Sequence, residues 1–222
     1  MLEIKNLNKK YSRGGKEFSA LSDVSLSAGA GDFIGISGPS GSGKSTLFHI
    51  VSGLLKPDCG TVKIAGADIS AMSERELAIL RRSDVGCILQ GENLLSNFTV
   101  AENISLPLWL GHERCCRERV SELLSAFGLS GMEDSYPSSL SGGEQRRVSI
   151  IRGFIHSPKL VIADEPTNSL DPENAAVIMA FFKKMADERK VTLLISSHDS
   201  DMLCFASKRY VMSRGKLSEF KV

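Results

Sequence analysis

The sequence has no apolar stretch long enough to cross a membrane. Its longest candidate, Ile104 to Leu110, has seven residues and is interrupted by Pro107, whereas a spanning helix needs about 20 apolar residues. The first residues, Met1 to Lys5, also lack the apolar centre of a signal peptide. If the protein works at a membrane, we therefore expect another polypeptide to supply the spanning part.

The sequence has no excess of positive or negative charge. Its 27 Lys and Arg residues are balanced by 26 Asp and Glu residues, which leaves a formal net charge of +1. A balanced chain has no general surface for polyanions, so we expect no nucleic-acid partner. The five cysteines are odd in number and lack paired metal-ligand spacing, which argues against a disulfide framework or a zinc site. Reduced thiols, as in the cytosol, are expected for Cys59, Cys87, Cys115, Cys116 and Cys204.

At 222 residues, 42% of them hydrophobic, the chain can bury a core without disulfides or metals, and we expect a single domain over residues 1–222. Apolar segments without alternation are typical of buried strands in a parallel sheet. They are Leu2 to Ile4, Phe33 to Ser37, Val85 to Leu89, Leu160 to Ala163 and Val191 to Ser196. Helical patterns between several of them predict an α/β core. Phe18 to Leu26 alternates instead, which predicts antiparallel strands near the N-terminus.

No strand pattern is present between about residues 98 and 157. Apolar residues there recur at helical offsets, as in Val120, Leu123, Leu124 and Phe127. This pattern predicts an all-helical subdomain inserted into the α/β core. Near its end, Ser141 lies three residues before Glu144, which is the spacing of a capping box and predicts a helix over Gln145 to Ile155.

The residues from Gly38 to Thr46 match the phosphate-binding pattern G-x-x-x-x-G-K-[ST], between an expected strand and a helical run from Ser45 to Ser52. Glycines let backbone N–H groups converge on phosphates, and the helix N-terminus adds partial positive charge. We expect Lys44 to reach the β- and γ-phosphates, Ser45 to hold Mg²⁺, and Thr46 to lie nearer the α-phosphate. The expected nucleotide ligands are Gly38, Pro39, Ser40, Gly41, Ser42, Gly43, Lys44, Ser45 and Thr46.

Asp164 and Glu165 directly follow the apolar segment Leu160 to Ala163. Both carboxylates are therefore expected at the carboxyl end of a buried strand, where open α/β sheets bind ligands. Asp164 is placed to coordinate Mg²⁺ through water, and Glu165 to polarise an attacking water. An Asp-Glu pair occurs in many loops, but after a phosphate-binding loop it indicates a functional site.

The run Leu140-Ser141-Gly142-Gly143-Glu144 stands between these two motifs and is not general to ATPases. With it, the whole chain resembles the nucleotide-binding subunits of ATP-binding cassette (ABC) transporters. The resemblance implies an α/β P-loop NTPase cassette with an antiparallel β subdomain and an inserted all-helical subdomain. It also implies ATP and Mg²⁺ as cofactors, a second copy of the chain and integral membrane permease subunits as partners, and a peripheral location at the cytoplasmic face of the inner membrane.

The resemblance also implies roles for residues outside the phosphate-binding loop. Tyr11 is similar to the aromatic residue that stacks on adenine, although a strand tyrosine without that role is the alternative. Gln90 resembles the glutamine that contacts Mg²⁺ and the attacking water and couples the site to a membrane partner. His198 resembles the histidine that senses the γ-phosphate. Residues Ser141, Gly142 and Gly143 are expected to contact the γ-phosphate bound by the other subunit, so that catalysis requires a dimer.

The implied reaction is phosphoryl transfer to water, in which positioning and electrostatics do most of the work. Lys44, Mg²⁺, His198 and the opposing Ser141 are expected to offset charge on the γ-phosphate. The run Ser169-Leu170-Asp171 matches the loop that communicates between the two sites. Asp171-Pro172 also has the N-cap and first-turn pattern of a helix.

Several stretches resemble the subunits of lipoprotein-releasing and macrolide-export systems; they are Pro39 to Gly43, Asn93 to Leu95, Thr99 to Ile104, Leu106 to Leu108 and Ala163 to Thr167. Such systems often use ATP to move an extracytoplasmic domain of the membrane partner. The departures from that branch are Glu144, Asn168-Ser169 and Ile151 to Gly153. The alternative is a subunit of a conventional importer or exporter. In either case, Gly91 to Phe98 should meet the membrane partner.

Two non-transport classes of the same superfamily fit the sequence less well. A chromosome-maintenance or DNA-repair ATPase would carry a long coiled coil between the phosphate-binding loop and the Leu-Ser-Gly-Gly-Glu run. Ser141 follows Lys44 by only 97 positions, and no long heptad pattern is present. A translation-associated cassette protein would usually have two cassettes in one chain, whereas each motif occurs once here.

Overall fold

The computed structural model describes residues 1–91, 94–115, 117–168, 170–198 and 201–220, so the expectations for Asn93, Cys116 and Ser169 lie outside the described residues. In these ranges the chain forms ten strands and six α-helices. The strands are β1 Leu2–Arg13, β2 Lys16–Ala28, β3 Phe33–Ser37, β4 Cys59–Ile64, β5 Ala67–Asp68, β6 Val85–Ile88, β7 Leu160–Asp164, β8 Thr192–Ser197, β9 Lys208–Ser213 and β10 Lys216–Glu219. The helices are α1 Lys44–Val51, α2 Glu74–Ser83, α3 Val100–Leu110, α4 Arg117–Ala126, α5 Gly142–Phe154 and α6 Pro172–Arg189.

The larger sheet has six strands in the order β10-β9-β3-β8-β7-β6. Its strands run parallel from β9 to β6, and β10 pairs antiparallel with β9. β3, β7 and β8 are buried almost throughout because hydrophobic cores cover both faces, with Phe33 in one core and Ile34 in the other. The four buried strands predicted after the N-terminal segment are confirmed, with ends that shift by at most one residue.

Leu2 to Ile4 do not belong to that sheet, and this part of the expectation is wrong. They begin β1, which pairs antiparallel with β2 and β4 in a separate sheet of order β2-β1-β4-β5. Leu2 and Ile4 are buried while Glu3 between them is more exposed, as in a strand with one covered face. Three residues are too few to reveal that alternation in the sequence. The antiparallel strand predicted at Phe18 to Leu26 is confirmed as part of β2.

Between β6 and β7, the described residues form α3, α4 and α5 and contain no strand. The helix expected from Gln145 is α5, which begins three residues earlier, at Gly142, because Ser141 is its N-cap. Five elements had no clear signal in the sequence, namely α2, β4, β5, β9 and β10. β5 has only two residues, and β4, β9 and β10 lack the continuous apolar pattern of the buried strands.

α5 lies so close to β6 that both elements need a glycine at the contact. A Cβ on Gly86 in β6 would lie 2.1 Å from the carbonyl oxygen of Gly153 in α5. A Cβ on Gly153 would lie 2.7 Å from Cγ1 of Ile88. Close-packed interiors have no room for such an addition. The departure from the branch pattern at Gly153 therefore has a packing reason, and α5 is held tightly against the sheet.

We predict that Gly86→Ala lowers the free energy of unfolding by about 1–3 kcal/mol, the usual cost of overpacking. The matched control is Gly29→Ala, because its added Cβ would meet Asp32 at an ordinary contact distance of 3.7 Å. Denaturant unfolding of both variants measures the difference. Equal unfolding free energies for the two variants would contradict the close contact of α5 with β6.

Candidate functional site

The loop from Gly38 to Thr46 joins β3 to α1 at the carboxyl end of the parallel sheet. Gly38 and Gly43 have φ values of +152° and +111°. A Cβ at Gly38 would lie 2.2 Å from the carbonyl oxygen of Met212, and one at Gly43 would lie 2.4 Å from that of Ala20. Glycine alone fits at these points, so the loop keeps a tight curve lined by its own backbone.

The interior of the loop is rich in hydrogen-bond donors. Lys44 is buried, and its Nζ donates to the carbonyl oxygens of Gly38 at 2.7 Å and Pro39 at 3.1 Å. The hydroxyl of Ser42 is buried without a hydrogen-bond partner among the described residues. α1 begins after Gly43 with no capping side chain and no acidic residue in its first turn, so its positive end is not neutralised locally. Together these groups form a cradle suited to a phosphate.

A cleft of about 460 Å³ adjoins the loop. Its walls include Tyr11, the loop residues Ser40 to Thr46, Gln90, Glu165 and His198. A volume of this order is typical of small-molecule sites. The structure therefore brings together predicted residues from β1, the phosphate-binding loop and the ends of β6, β7 and β8.

Asp164 ends β7 and is only 2% exposed. Its Oδ1 accepts a 2.5 Å hydrogen bond from the hydroxyl of Ser196 in β8. That hydroxyl also accepts from the backbone N–H of Glu165 at 2.9 Å. Ser196 thus holds the side chain of one acidic residue and the backbone of the other, a role that the sequence did not suggest because Ser196 appeared only as the last position of a buried strand.

Glu165 adopts φ +50°, a left-handed conformation that is uncommon outside glycine. Its side chain lies in the cleft, where Oε1 is 2.5 Å from Nε2 of the exposed His198. Glu165 itself is 7% exposed. Unusual backbone conformations of this kind concentrate at functional sites, where surrounding contacts hold them in place.

Oxygen groups beside the loop suit Mg²⁺ but do not form a complete protein site. Ser45 and Gln90 line the cleft, and Asp164 lies at the adjacent strand end. They offer a hydroxyl, an amide and a carboxylate, which are the hard oxygen donors that Mg²⁺ binds. Across the described ranges, no three His, Cys, Asp or Glu side chains lie close enough to hold a metal ion. The residues therefore fit an ion that is bound partly by phosphates.

The described residues that line the cleft do not include Ser141, Gly142 or Gly143. These three residues form the start of α5, where the predicted capping box is confirmed. Oε2 of Glu144 accepts from the hydroxyl and from the backbone N–H of Ser141, both at 2.7 Å. Both bonds lower the pKa of the Glu144 carboxyl, and the bond from the Ser141 hydroxyl has the larger effect. Ser141 and Gly142 are exposed, so this helix start is open to a second molecule.

Tyr11 stacks on Phe18 across the β1–β2 hairpin, with ring centroids 5.7 Å apart and 27° between the ring planes. Tyr11 is 36% exposed and Phe18 50% exposed, and both line the cleft. An exposed aromatic pair offers a flat apolar surface to a nucleotide base. Phe18 was not predicted as a site residue, because its sequence signal, alternation with Ala20, indicated only a strand.

Arg146 in α5 is a third residue that sequence reasoning missed, after Ser196 and Phe18. Its guanidinium donates to the backbone carbonyl oxygens of Asp164 and Glu165. Burial lowers the pKa of Arg146, and the carboxylates of Asp164 and Glu165 oppose that shift. The expected site residues and this arginine thus form one connected group around the end of β7.

A donor-rich loop between strand and helix, beside two buried carboxylates at the edge of a parallel sheet, defines a P-loop nucleotide-binding protein. The family model described as ABC transporter matches residues 21–168. The chain belongs to the ABC transporter family, and it is an ATP-binding cassette of that family.

Two kinds of relative illustrate the family. The chain is 38% identical over 222 residues to the methionine import ATP-binding protein MetN of Mannheimia succiniciproducens. It is 40% identical over 219 residues to the macrolide export ATP-binding/permease protein MacB of Salmonella typhi. These alignments cover 99% and 98% of this chain, but 64% and 34% of the respective relatives. The chain therefore spans less than two thirds of either relative.

Solved structures support the fold independently. The post-hydrolysis dimer of the ATP-binding cassette MJ0796 bound to ADP and Pi superposes with a TM-score of 0.95 at 34% identity, covering 100% of this chain and 98% of that one. Another dimeric structure of MJ0796, a bacterial ABC transporter cassette, gives a TM-score of 0.94 at 32% identity with both chains covered fully. The expected α/β P-loop cassette fold is confirmed.

Proposed function

We propose that the chain is the ATP-hydrolysing subunit of a membrane ABC transporter complex. In this proposal, two copies bind two ATP molecules between them and drive a conformational change in integral membrane permease subunits. The observation that carries it is that the predicted ATP-site residues lie in two separate places on the chain. The phosphate-binding loop, Gln90, Glu165 and His198 share one cleft, whereas Ser141 to Gly143 lie outside its described lining and start an exposed helix end.

Within the cleft, each residue type suits one part of ATP. The base stacks on Tyr11, and the loop binds the phosphates through its N–H groups and through Lys44. Glu165 acts as the general base that orients and polarises the attacking water, and Gln90 contacts the same water. His198, which lies beside Glu165, contacts the γ-phosphate. Positioning and charge stabilisation, rather than covalent chemistry, supply the rate enhancement.

Mg²⁺, when bound, offsets charge on the β- and γ-phosphates. Ser45, Gln90 and Asp164 would hold it together with phosphate oxygens and water. Ser196 fixes the carboxylate of Asp164 through the 2.5 Å hydrogen bond to Oδ1. Ser196 in β8 therefore orients the carboxylate of Asp164.

A second copy of the chain supplies Ser141, Gly142 and Gly143 to each ATP. The exposed N-terminus of α5 favours an anion, as helix N-termini generally do. Both structures of MJ0796 are dimeric, and one holds ADP and Pi, which supports a dimer with nucleotide. ATP that binds across the interface stabilises the closed dimer, and its hydrolysis releases the two copies.

The proposed contact with the membrane partner lies beside the segment from Gly91 to Phe98. Trp109 and Leu110, at the end of α3, are 44% and 61% exposed, and the Phe98 ring contacts that of Trp109 with centroids 6.4 Å apart. Leu95 is 44% exposed. Exposed apolar side chains grouped in this way favour a protein partner.

Buried Asn103 fixes the backbone of Leu95, Phe98 and Thr99. Its Oδ1 accepts from the backbone N–H of Leu95, and its amide donates to the carbonyl oxygens of Leu95, Phe98 and Thr99. Residues Leu95 to Phe98 are thereby fastened to α3, so a push on α3 by a partner would move them as well. In the described ranges, no helix is long and apolar enough to cross a membrane. The proposed location is peripheral, on the cytoplasmic face of the inner membrane, bound to permease subunits.

We further propose that the partner belongs to the lipoprotein-releasing or macrolide-export type. The support is the set of branch-like sequence stretches, together with 40% identity to MacB. The alternative is a conventional importer or exporter. The observation in support of this alternative is the 38% identity to MetN over 99% of the chain.

We predict that a membrane protein co-purified with this chain has four spanning helices and a large extracytoplasmic domain. That topology suits a partner whose outer domain is moved by ATP hydrolysis. Topology mapping with cysteine labelling from either side of the membrane measures it. Six or more spans in a channel-like bundle would contradict the macrolide-export type and support conventional transport.

We predict that Glu165→Gln binds ATP with nearly unchanged affinity but loses almost all turnover and accumulates as a dimer in ATP. The amide cannot accept the proton from water, while the binding groups of the loop stay in place. Steady-state hydrolysis and size-exclusion chromatography measure the two effects. Glu188→Gln, an exposed substitution on α6, is the control and should behave as the unmodified protein. Normal turnover by Glu165→Gln would sink the assignment of Glu165 as the base.

A further inference from the structure

One guanidinium group joins the ends of two strands that carry the site. From α5, Arg146 donates through Nη1 to the carbonyl oxygen of Leu89 at 2.8 Å. Nη2 donates to the carbonyl oxygens of Asp164 at 2.8 Å and Glu165 at 3.0 Å, and Nε donates to that of Pro166 at 3.1 Å. All three nitrogens of the group are therefore engaged with backbone carbonyls.

These carbonyl groups belong to the two segments that place the attacking water in the proposed mechanism. Leu89 directly precedes Gln90, and Asp164 and Glu165 stand at the end of β7. The backbone pairing of β6 with β7 runs only as far as Ile88 and Ala163. Beyond that point, Arg146 bridges the two strand ends.

Arg146 also acts on the unusual backbone of Glu165. The N–H of Glu165 donates to the hydroxyl of Ser196, and its carbonyl oxygen accepts from Arg146. Both sides of this residue are thus held, which is the condition under which a left-handed non-glycine conformation persists. Without the bond to the carbonyl, Glu165 can relax toward ordinary φ values and carry its carboxylate away from His198.

α5 is well placed to hold such a bond rigidly. The close approach of Gly153 to Gly86 fixes the C-terminal half of the helix against β6. The capping box of Ser141 fixes its first turn. Arg146 lies between these two points, so its guanidinium projects from a helix that has little freedom to shift.

We propose that Arg146 is a positioning residue for ATP hydrolysis, which keeps Glu165 and Gln90 in the relative placement that attack by water requires. This inference rests on the proposed function. Arg146 touches neither substrate nor water in this role and acts through the backbone of the two segments. Lysine cannot replace it, because the three N–H groups of an ammonium share one nitrogen, whereas the four carbonyl oxygens accept from three separate nitrogens of the guanidinium.

The test measures kcat, KM for ATP and the melting temperature of Arg146→Lys. We expect kcat to fall about 10- to 100-fold, as for a misplaced catalytic group, while KM changes less than about threefold because the phosphate-binding loop is untouched. The melting temperature should stay within about 4 °C of the unmodified protein. Arg117→Lys is the matched control, since Arg117 lies on α4 and forms an exposed ion pair with Asp134, and this variant should retain full turnover.

Arg146→Ala supplies a second measurement in case Arg146→Lys loses stability. Millimolar guanidinium ion should restore part of the kcat of Arg146→Ala. It should not restore the kcat of Glu165→Gln, in which the guanidinium of Arg146 is still present. Unchanged kcat in Arg146→Lys would overturn the proposal. So would loss of folding in both Arg146 variants, because the residue would then serve stability alone. If the unmodified protein and Arg117→Lys hydrolyse no ATP, the proposed function fails instead.

Discussion

The carboxyl ends of β3, β6, β7 and β8 meet at one edge of a parallel sheet, and the placement of every predicted catalytic residue depends on that meeting. Each strand delivers a different group there. The phosphate-binding loop follows β3, Gln90 follows β6, Asp164 and Glu165 end β7, and His198 follows β8. Parallel strands impose this arrangement because all of their carboxyl ends point the same way. Ligand binding at the edge is therefore a property of the fold, and the chemistry is a property of the residues placed on it.

Hydrogen bonds across the strand ends turn this general arrangement into a specific one. Ser196 joins β8 to Asp164 at the end of β7 and to Glu165 directly after it, and Arg146 joins β7 to the residue before Gln90. Polar groups engaged in this way fix geometry more than they add stability. Their consequence is a Glu165 backbone held in a conformation that few residues adopt. In the proposed mechanism Glu165 is the base, and a base held in this way beside the phosphate-binding loop suits phosphoryl transfer, which depends on placement.

Sequence patterns predict the part of this site that is encoded locally. The loop from Gly38 to Thr46 and the capping box at Ser141 depend on neighbours within a few residues, so contiguous motifs identify them. Ser196 and Arg146 act on groups up to 32 and 57 positions away, and nothing near them in the sequence signals those contacts. The same limit explains the wrong sheet for Leu2 to Ile4, because the strand's partners β2 and β4 decide its place and a three-residue window cannot show them.

Each ATP site in the proposed dimer takes residues from two copies of the chain. The most direct measurement mixes two variants, Lys44→Ala and Ser141→Arg, and assays ATP hydrolysis across a range of ratios. Each variant alone should be inactive. A mixed dimer contains one intact site, formed by the loop of the Ser141→Arg copy and the α5 start of the Lys44→Ala copy, so partial activity should return. No activity at any mixing ratio would contradict sites shared between two copies.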